Sequence, residues 1–397
     1  MIFPIITHYQ ELKDLIKDRP EFVFNFEEET NTFVVKYNHL LGSSFDHENE
    51  DSKKLLHEAR GITFDASSGK VVARKFHKFY NIGEKSSSSI SNIDFSKPHW
   101  RMVKEDGSMI SFLKIDGQYF PVTKAGRSEV ATMVDSYGNM ENYKSLLDFC
   151  YENDYTALFE FCSLKQRIVL EYTEEKLILL AIRDNVTGKY VYNPDQLKEI
   201  GIKYNIPVVE STRMDNIDIS QVISEIKDAE GIEGIIIRFE DGSMYKVKSD
   251  EYIRFHNAVS RIKQEKDIVK IILNDELDDI IPMLNEKDAI EIREFADSFI
   301  NGLQYSVKNI VNYGLNHYKE DQKSFALSIL SEDVGKLYGK FLLRERSFLD
   351  GNHVEIYDII YKKVSDYIYK ECMSGPRLNS VRELFDGVQF HKIYMEE

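Results

Sequence analysis

One lysine in this sequence stands in a context that could make it a nucleophile. Lys104 follows the apolar pair Met102-Val103 and precedes Glu105-Asp106-Gly107-Ser108, after which apolar residues resume. A lysine at a strand end, ahead of a glycine turn, can present its amine into a cleft while the next strand holds it rigidly. To attack the α-phosphate of a nucleoside triphosphate the amine must be neutral, so nearby cations or desolvation must lower its pKa. The same residues also fit an ordinary hairpin turn at Asp106-Gly107 with an exposed lysine before it.

Further along the chain, charged side chains recur in a second strand pair. Glu233 stands at the start of the apolar run 234–237, and Lys246 and Lys248 follow the turn at Asp241-Gly242. Residues two apart on a strand share a face, so the two ammonium groups could form a phosphate clamp. A solvated strand end and a solvent-facing strand side are the plain alternatives.

A third carboxylate, Glu160, lies inside the apolar run Leu158 to Phe161. Burial without a partner would cost several kcal/mol by typical estimates (roughly 2–7), so Glu160 is expected to meet a ribose hydroxyl or a metal-bound water, or else to be a satisfied core acid. The pair Glu230-Gly231 repeats the motif of Glu233 three residues earlier. We prefer Glu233 because an unbroken apolar run follows it and Lys246 lies on the second strand of the hairpin.

The elements that must position these residues change character along the chain. From about residue 20 to 255 the sequence favours short strands separated by turns, with helical patches at 129–151 and 220–229. The Asp116-Gly117 pair predicts a hairpin. After about residue 254, amphipathic patterns with few turn residues predict helices. The predicted strands are 32–37, 61–64, 71–74, 109–113 and 118–123, and the predicted late helices are 262–273, 287–305 and 355–371.

Composition limits the classes of function. The 397 residues suffice for two or three domains, and the formal net charge of −16 argues against coating nucleic acid by bulk electrostatics, so any nucleic-acid site must be local. Cys150, Cys162 and Cys372 have no metal-binding spacing and fit a reducing compartment. Charges interrupt the apolar positions of residues 1–30, which excludes a signal-peptide core and a membrane span. We expect a cytoplasmic protein, in the host cytoplasm if phage-encoded.

Taken in order, four elements resemble the covalent nucleotidyltransferase superfamily of DNA ligases, RNA ligases and RNA capping enzymes. They are KxDG at Lys104, an acidic strand at Glu160, EGxx at Glu233 and KxK at Lys246. Two upstream segments, EARGITF at 58–64 and KFHKFYNIGE at 75–84, are similar to motifs of the bacteriophage T4-type RNA ligase 1 family, whose nucleophile motif also has the form KEDGS. The resemblance covers about residues 30 to 260.

This resemblance implies a fold and a division of the chain. An α+β nucleotidyltransferase domain with ATP-grasp-like antiparallel sheets and an N-terminal subdomain is expected over 1–254. An all-helical domain, with a role in recognising the RNA substrate, is expected over 255–397. DNA ligases and capping enzymes usually continue into an OB barrel instead, so the helical tail favours an RNA ligase.

The resemblance also implies a role for each matching residue. Lys104 would be adenylylated, Glu233 would act through a magnesium-bound water, and Glu160 would bind the ribose or a metal-bound water. The remaining positions would bind the nucleotide: Arg60 and Lys78 at the triphosphate or sugar, Tyr80 stacked on the adenine, Lys124 at a phosphate, Lys246 and Lys248 at the α-phosphate, and Tyr252 as a lesser contributor unless it only packs at the domain boundary.

The implied reaction joins a 5′-phosphate and a 3′-hydroxyl RNA end through lysyl-AMP and RNA-adenylate. It needs ATP as substrate and Mg²⁺, or Mn²⁺ in its place. Cleaved tRNA is the expected partner, with no membrane and no obligate protein partner. The alternatives are a DNA ligase or mRNA capping guanylyltransferase, which share the motif residues, and a non-catalytic RNA-binding protein on the same fold.

Overall fold

A computed structural model describes residues 3–37, 43–163, 169–170, 172–215, 217–262, 264–284, 286–350, 353–374, 381 and 384–385. The chain divides into two compact units, Met1–Ile253 and Arg254–Glu397. Their border lies one residue from the boundary expected from the sequence, while the functions expected of the two parts stay predictions. Among the described residues, no helix combines the length and apolar character needed to cross a membrane.

The first unit is a mixed α/β structure built on three sheets. Their strand orders are β1-β2-β3-β4, β10-β9-β7-β8 and β11-β6-β12-β13-β5. The strands are β1 Phe22–Glu27, β2 Thr32–Tyr37, β3 Ile62–Asp65, β4 Val71–Ala73, β5 Tyr80–Asn81, β6 His99–Val103, β7 Ser108–Ile115, β8 Gln118–Val122, β9 Tyr155–Cys162, β10 Lys176–Asp184, β11 Ser211–Arg213, β12 Gly234–Phe239 and β13 Met244–Lys248.

Helices cover and join these sheets, and further helices form the described part of the second unit. The α-helices are α1 Gln10–Ile16, α2 Glu50–Glu58, α3 Glu129–Thr132, α4 Glu141–Glu152, α5 Pro194–Tyr204, α6 Ile219–Asp228, α7 Asp250–Arg261, α8 Glu265–Leu273, α9 Leu277–Ile280, α10 Glu286–Asn316, α11 Gln322–Ile329, α12 Asp333–Leu342 and α13 His353–Ser374. Short 3₁₀ turns lie at Ser86–Ser88, Ile90–Asn92, Asp135–Asn139, Ile281–Met283 and Arg346–Phe348.

The two Asp-Gly pairs predicted the positions of two hairpins correctly. Asp116 and Gly117 both have positive φ, 48° and 79°, and join the antiparallel strands β7 and β8. Such paired left-handed residues match the twist of a two-residue hairpin. The second hairpin turns through Gly242, with φ of 84°, and pairs β12 with β13.

Two expectations about this unit were wrong in detail. The sheets are antiparallel except at one edge, where the short strand β5 runs parallel to β13. The helical pattern at 129–151 is broken into α3, a 3₁₀ turn and α4. Apolar spacing alone indicates one helix there, but the chain changes direction at Met140, whose extended backbone begins α4.

A buried charge cluster ties distant parts of the first unit together. The Glu58 carboxylate, at the end of α2, accepts hydrogen bonds from Arg74 Nε at 3.2 Å and Arg183 Nη2 at 2.7 Å. Burial on its own would raise the pKa of Glu58, but Arg183 and Arg74 outweigh it and lower the pKa to about 2. Because Arg74 follows β4 and Arg183 lies on β10, this cluster joins the first sheet to the second.

The described part of the second unit contains helices and no strand. Its core is one apolar cluster centred on α10 and α13. The sequence placed α10 too short, because buried positions at Val307, Ile310 and Val311 continue the helical spacing beyond residue 305. The predicted helix at 262–273 begins later than expected, at Glu265, because Gln264 has an extended backbone and caps α8.

Candidate active site

Lys104 lies where the chain passes from one sheet to another. It directly follows β6, a strand of the five-stranded sheet, and β7 belongs to the sheet β10-β9-β7-β8. The Lys104 N–H donates to the carbonyl of Gly234 at 3.0 Å, which continues the pairing of β6 with β12. The alternative of a simple hairpin turn at Asp106-Gly107 is therefore wrong.

Gly107 explains how the chain makes this crossing. A Cβ atom at Gly107 would lie 2.4 Å from the carbonyl oxygen of Phe161 on β9. Only glycine permits such a close approach of the two backbones. The glycine of the motif is therefore needed for packing against β9 and not for a hairpin.

A single carboxylate oxygen holds two of the predicted lysines. Glu233 Oε1 lies 2.7 Å from Lys104 Nζ and 2.9 Å from Lys248 Nζ. The Glu233 side chain is 4% exposed, whereas those of Lys104 and Lys248 are 21% and 26% exposed. The amines therefore close over the carboxylate and face outward, where a substrate can reach them.

The register of the second strand pair sets this arrangement. Gly234 pairs with Lys248 across β12 and β13, and a Cβ at Gly234 would lie 2.1 Å from the carbonyl oxygen of Val247. Gly234 has φ of 145°, which only glycine adopts readily. Glu230, the alternative position for the motif, is exposed, and the adjacent Gly231 N–H donates to Glu251. The geometry thus places Glu233, and not Glu230, beside Lys104.

Cations from separate segments meet at Lys246. Burial, together with the charges of Arg60, Lys78 and Lys104, lowers the pKa of Lys246 to about 7. Lys246 Nζ lies 5.2 Å from the ring centre of Phe79, and the Arg60 guanidinium lies 5.9 Å from the same ring. A local positive site thus exists in a protein of net charge −16, as a polyphosphate ligand requires.

The predicted adenine-stacking residue lies in a different environment. Tyr80 pairs with Tyr245 in the sheet, whereas Lys246 pairs with Asn81, so the Tyr80 side chain projects to the face opposite Lys246. Lys78 Nζ lies 4.7 Å above the Tyr80 ring. Stacking of Tyr80 on adenine stays a prediction. Phe79, which sequence reasoning missed, is the ring that lies with the cations.

Lys124 brings a second missed residue into the site. Its Nζ lies 3.3 Å from the Tyr37 hydroxyl and 4.3 Å from the centre of that ring. Burial would raise the pKa of Tyr37, but the charges of Arg60 and Lys124 outweigh it and lower the pKa. Tyr37 ends β2, and nothing in its local sequence distinguishes it from other strand aromatics.

Glu160 projects from β9 near the same lysine. Within the described residues it makes no hydrogen bond or ion pair, although its side chain is half-buried. The pKa of Glu160 is raised to about 8, mainly by burial. The charge of Lys104 opposes this rise, and those of Glu233, Asp106 and Glu105 add to it. If Glu160 were only a satisfied acid in the core, it would need a hydrogen-bond or ion-pair partner, and none is found within the described residues. The absence of such a partner favours a role in binding a ligand.

Tyr252 contacts the nucleophile segment directly. Its hydroxyl donates to Asp106 Oδ1 at 2.7 Å, and Lys248 Nζ lies 4.8 Å from its ring centre. Tyr252 is buried, so its ring packs in the interior. Its contacts with Asp106 and Lys248 also place it beside the predicted site residues. Asp106, which the sequence suggested only as a turn residue, is 2% exposed and accepts this bond.

The carboxylates fit a water-mediated metal contact better than a protein cage. Among the described residues, no three His, Cys, Asp or Glu side chains are grouped to hold a metal ion. Glu160 offers oxygens that accept no hydrogen bond from the described residues, while Glu233 already holds two ammonium groups. Magnesium usually keeps several waters and takes its remaining ligands from one or two carboxylates and the substrate phosphates. The residues present are therefore compatible with a magnesium ion that arrives with a nucleotide.

Known proteins place this site in a family. A family model described as RNA ligase, of the T4 type 1, matches residues 58–252. This segment contains every site residue predicted from the sequence, from Arg60 to Tyr252. Residues 58–252 therefore match the RNA ligase family, which confirms the resemblance inferred from the motifs and the prediction of an enzyme of the RNA ligase class.

Individual relatives agree with this family. A protein of Thermovibrio ammonificans, with RNA ligase as the provisional function in its name, is 27% identical over 323 residues, 78% of this chain and 81% of the relative. RNA ligase 1 of bacteriophage TS2126 is 25% identical over 260 residues, 62% of this chain and 63% of the phage protein. A solved archaeal ATP-dependent RNA ligase is 13% identical, covers 66% of both chains, and has a TM-score of 0.44. That TM-score carries no inference about substrate.

Proposed function

We propose that this protein is an ATP-dependent RNA ligase that joins 5′-phosphate and 3′-hydroxyl ends with Lys104 as the adenylylated nucleophile. The main support for this proposal is that Lys104 and Lys248 both pair with one oxygen of Glu233, at 2.7 and 2.9 Å. It sets a primary amine at a fixed position beside the cations around Lys246. This is the environment that in-line transfer of a nucleotidyl group requires.

The first step forms lysyl-AMP. Lys104 Nζ attacks the α-phosphorus of ATP, a P–N bond forms, and the bond to the β-phosphate oxygen breaks to release pyrophosphate. Lys246 and Lys248 would stabilise the charge on the α-phosphate, and Arg60, Lys78 and Lys124 would contact the remaining phosphates or the sugar. Magnesium, held by Glu160 and Glu233 through water, would offset phosphate charge when bound.

Lys104 must also lose a proton before it attacks. Its Nζ is paired with Glu233 Oε1 at 2.7 Å. The ion pair therefore holds the amine in place before the nucleotide arrives.

Two transfers complete the reaction. A 5′-phosphate oxygen of the RNA attacks the phosphorus of lysyl-AMP, and the Lys104 amine leaves and regains a proton. A 3′-hydroxyl then attacks the activated 5′-phosphate, AMP leaves, and the phosphodiester bond closes. Cleaved tRNA as the substrate follows from the family resemblance alone.

The second unit favours RNA ends over the alternatives. DNA ligases and capping enzymes usually follow the catalytic domain with a β-barrel. The described residues after Arg254 contain only helices and turns. A non-catalytic RNA-binding protein would have no reason to keep Lys104, Glu233, Lys246 and Lys248 together.

Labelling tests this proposal. The protein is incubated with Mg²⁺ and ATP labelled at the α-phosphate, then denatured and examined for retained label. Label on the wild type and none on Lys104→Ala is expected. An unlabelled wild type, or equal label on Lys104→Ala, would overturn the ligase. Label from GTP in place of ATP would indicate a capping enzyme, and sealing of nicked duplex DNA in preference to single-stranded RNA would indicate a DNA ligase.

A further inference from the structure

The peptide that follows Lys104 is held by a tyrosine from a distant part of the chain. The N–H of Asp106 donates to the hydroxyl of Tyr172 at 2.8 Å. The same hydroxyl donates toward Glu105 Oε2, 3.4 Å away. Tyr172 thus engages the two residues directly after Lys104, although 68 positions (172 minus 104) separate it from the lysine.

The Asp106 side chain binds the segment that carries Tyr172. Asp106 Oδ2 accepts the N–H groups of Val169 and Leu170, at 2.8 and 2.7 Å, and Oδ1 accepts the Tyr252 hydroxyl. A carboxylate that is 2% exposed and receives three donors has little freedom to move. The position of Tyr172 is therefore coupled to the segment that it holds.

These contacts fix Lys104 from both sides. The chain entering Lys104 is held by its N–H bond to the carbonyl of Gly234 on β12. The chain leaving it is held by Tyr172 through Glu105 and Asp106. Since nucleotidyl transfer requires the amine in line with the departing pyrophosphate, a small rotation of this peptide would misdirect Nζ.

We propose that Tyr172 is a positioning residue for Lys104, which fixes the backbone after the nucleophile for the attack on ATP. The inference rests on the proposed function, because it assigns Tyr172 to the lysyl-AMP step. It also predicts which step does not need Tyr172. Sealing of RNA that already carries a 5′-adenylate does not use Lys104 as a reactant, so it should not depend on the orientation of its amine.

The variant Tyr172→Phe removes only the hydroxyl. Loss of one neutral hydrogen bond corresponds to about a tenfold effect or less when it acts on the attacking geometry. We expect the single-turnover rate constant of lysyl-AMP formation at saturating ATP to fall about tenfold. The KM for ATP and the rate of sealing pre-adenylylated RNA are expected to stay at wild-type values.

Tyr143→Phe is the matched control. The Tyr143 hydroxyl is buried and donates to the carbonyl of Leu177 on β10 at 2.7 Å, in the same unit, instead of to the residues that follow Lys104. This variant loses a comparable hydrogen bond and should leave both rates unchanged.

The outcomes separate the two proposals. A Tyr172→Phe variant that slows both steps equally, or neither, would overturn the positioning role. If Tyr143→Phe slows lysyl-AMP formation as much as Tyr172→Phe, the effect is general destabilisation and the positioning role is again wrong. A wild type that forms no lysyl-AMP at all overturns the proposed function itself.

Discussion

Two carboxylates in this protein each pair with two cations, in very different settings. Glu58 and its partners Arg74 and Arg183 are all at most 1% exposed. Glu233 is equally enclosed, but its partners Lys104 and Lys248 are about a quarter exposed. The first cluster is closed on every side, and the second opens toward a substrate.

The two clusters also differ in their cations, which are arginines at Glu58 and lysines at Glu233. Arginine stays charged and grips a carboxylate through several N–H groups, which suits a permanent buried link between sheets. Lysine is a flexible point charge that can lose its proton, as a nucleophile must. One type of contact therefore stabilises the fold at Glu58, whereas at Glu233 we propose that it prepares a reactive amine.

The first prediction separates catalysis from stability. We expect Glu233→Gln to slow lysyl-AMP formation about 100-fold, because the group that places Lys104 loses its charge. Its free energy of unfolding should fall by no more than about 1 kcal/mol, since both lysines can be solvated. Single-turnover labelling and urea titration measure the two quantities. A large loss of stability with an unchanged rate would remove the distinction between the clusters.

The second prediction applies the same change to the closed cluster. Glu58→Gln leaves two buried guanidinium groups without their countercharge and should lower the free energy of unfolding by about 3–5 kcal/mol. In the wild type, the depressed pKa of Glu58 gives a stabilisation that is full above its ordinary pKa and lost as pH falls through about 2.

Asp148→Asn is the control for Glu58→Gln. Asp148 also pairs with two lysines, Lys114 and Lys144, but lies near the surface. Its loss should change the free energy of unfolding by about 1 kcal/mol or less. Equal effects of the two substitutions in denaturant titrations would refute the claim that enclosure gives the Glu58 cluster its strength.

The third prediction concerns pH. If step one needs the charged form of Lys246 and the ionised form of Glu160, kcat/KM for lysyl-AMP formation should be bell-shaped, highest between pH of about 7 and 8. Glu160 becomes protonated as pH falls through about 8, and Lys246 loses its charge as pH rises through about 7, so the fraction of the protein with both required forms is small and peaks in this interval. Lys246→Arg should remove the alkaline limb, because arginine stays charged. Glu160→Gln should remove the acid limb of its residual activity.

As pH rises and Lys246 loses its proton, the free energy of unfolding and kcat/KM should change in opposite directions. Its folded pKa of about 7 lies below the ordinary value of a lysine, so the unfolded chain binds more protons above pH 7. The free energy of unfolding should therefore rise with pH over this interval. A kcat/KM profile with the same two limbs in both variants would rule out Lys246 and Glu160 as the titrating groups.

The smallest expected effect tests which ring faces the nucleotide. Phe79 lies near Arg60 and Lys246, and loss of such cation–π contacts costs about 0.5–2 kcal/mol. Phe79→Leu should therefore raise the KM for ATP about two- to thirtyfold. Tyr80→Leu is the comparison. A larger rise in KM for Tyr80→Leu, together with weaker preference for ATP over GTP, would favour adenine stacking by Tyr80.

Much of the site could be predicted from local patterns. The types and spacings of Lys104, Glu233, Lys246 and Lys248 predicted a nucleophile and a phosphate clamp, and the structure brings these residues together. Period-two alternation determines which side chains share a strand face, and Asp-Gly turns determine where hairpins close. Both signals lie within a few residues of the feature that they predict.

Contacts between distant segments could not be predicted in this way. Tyr37, Phe79 and Tyr172 carry no local mark, since an aromatic residue on a short strand or loop usually packs in a core. They join the site because separate strands end near one another. The parallel pairing of β5 with β13 has the same origin, as a two-residue strand holds too little pattern to reveal its partner.

The sequence by itself predicted the chemistry: an amine nucleophile, carboxylates and cations in an order that resembles the RNA ligase family. Only the tertiary structure decided that Asp106-Gly107 crosses between two sheets, because that outcome depends on β6 pairing with β12 and β7 pairing with β9. The paired residues of β6 and β12 lie 132 to 140 positions apart along the chain (235 minus 103 and 239 minus 99). Local propensity makes a hairpin equally acceptable at this turn, and the burial gained by two packed sheets decides against it.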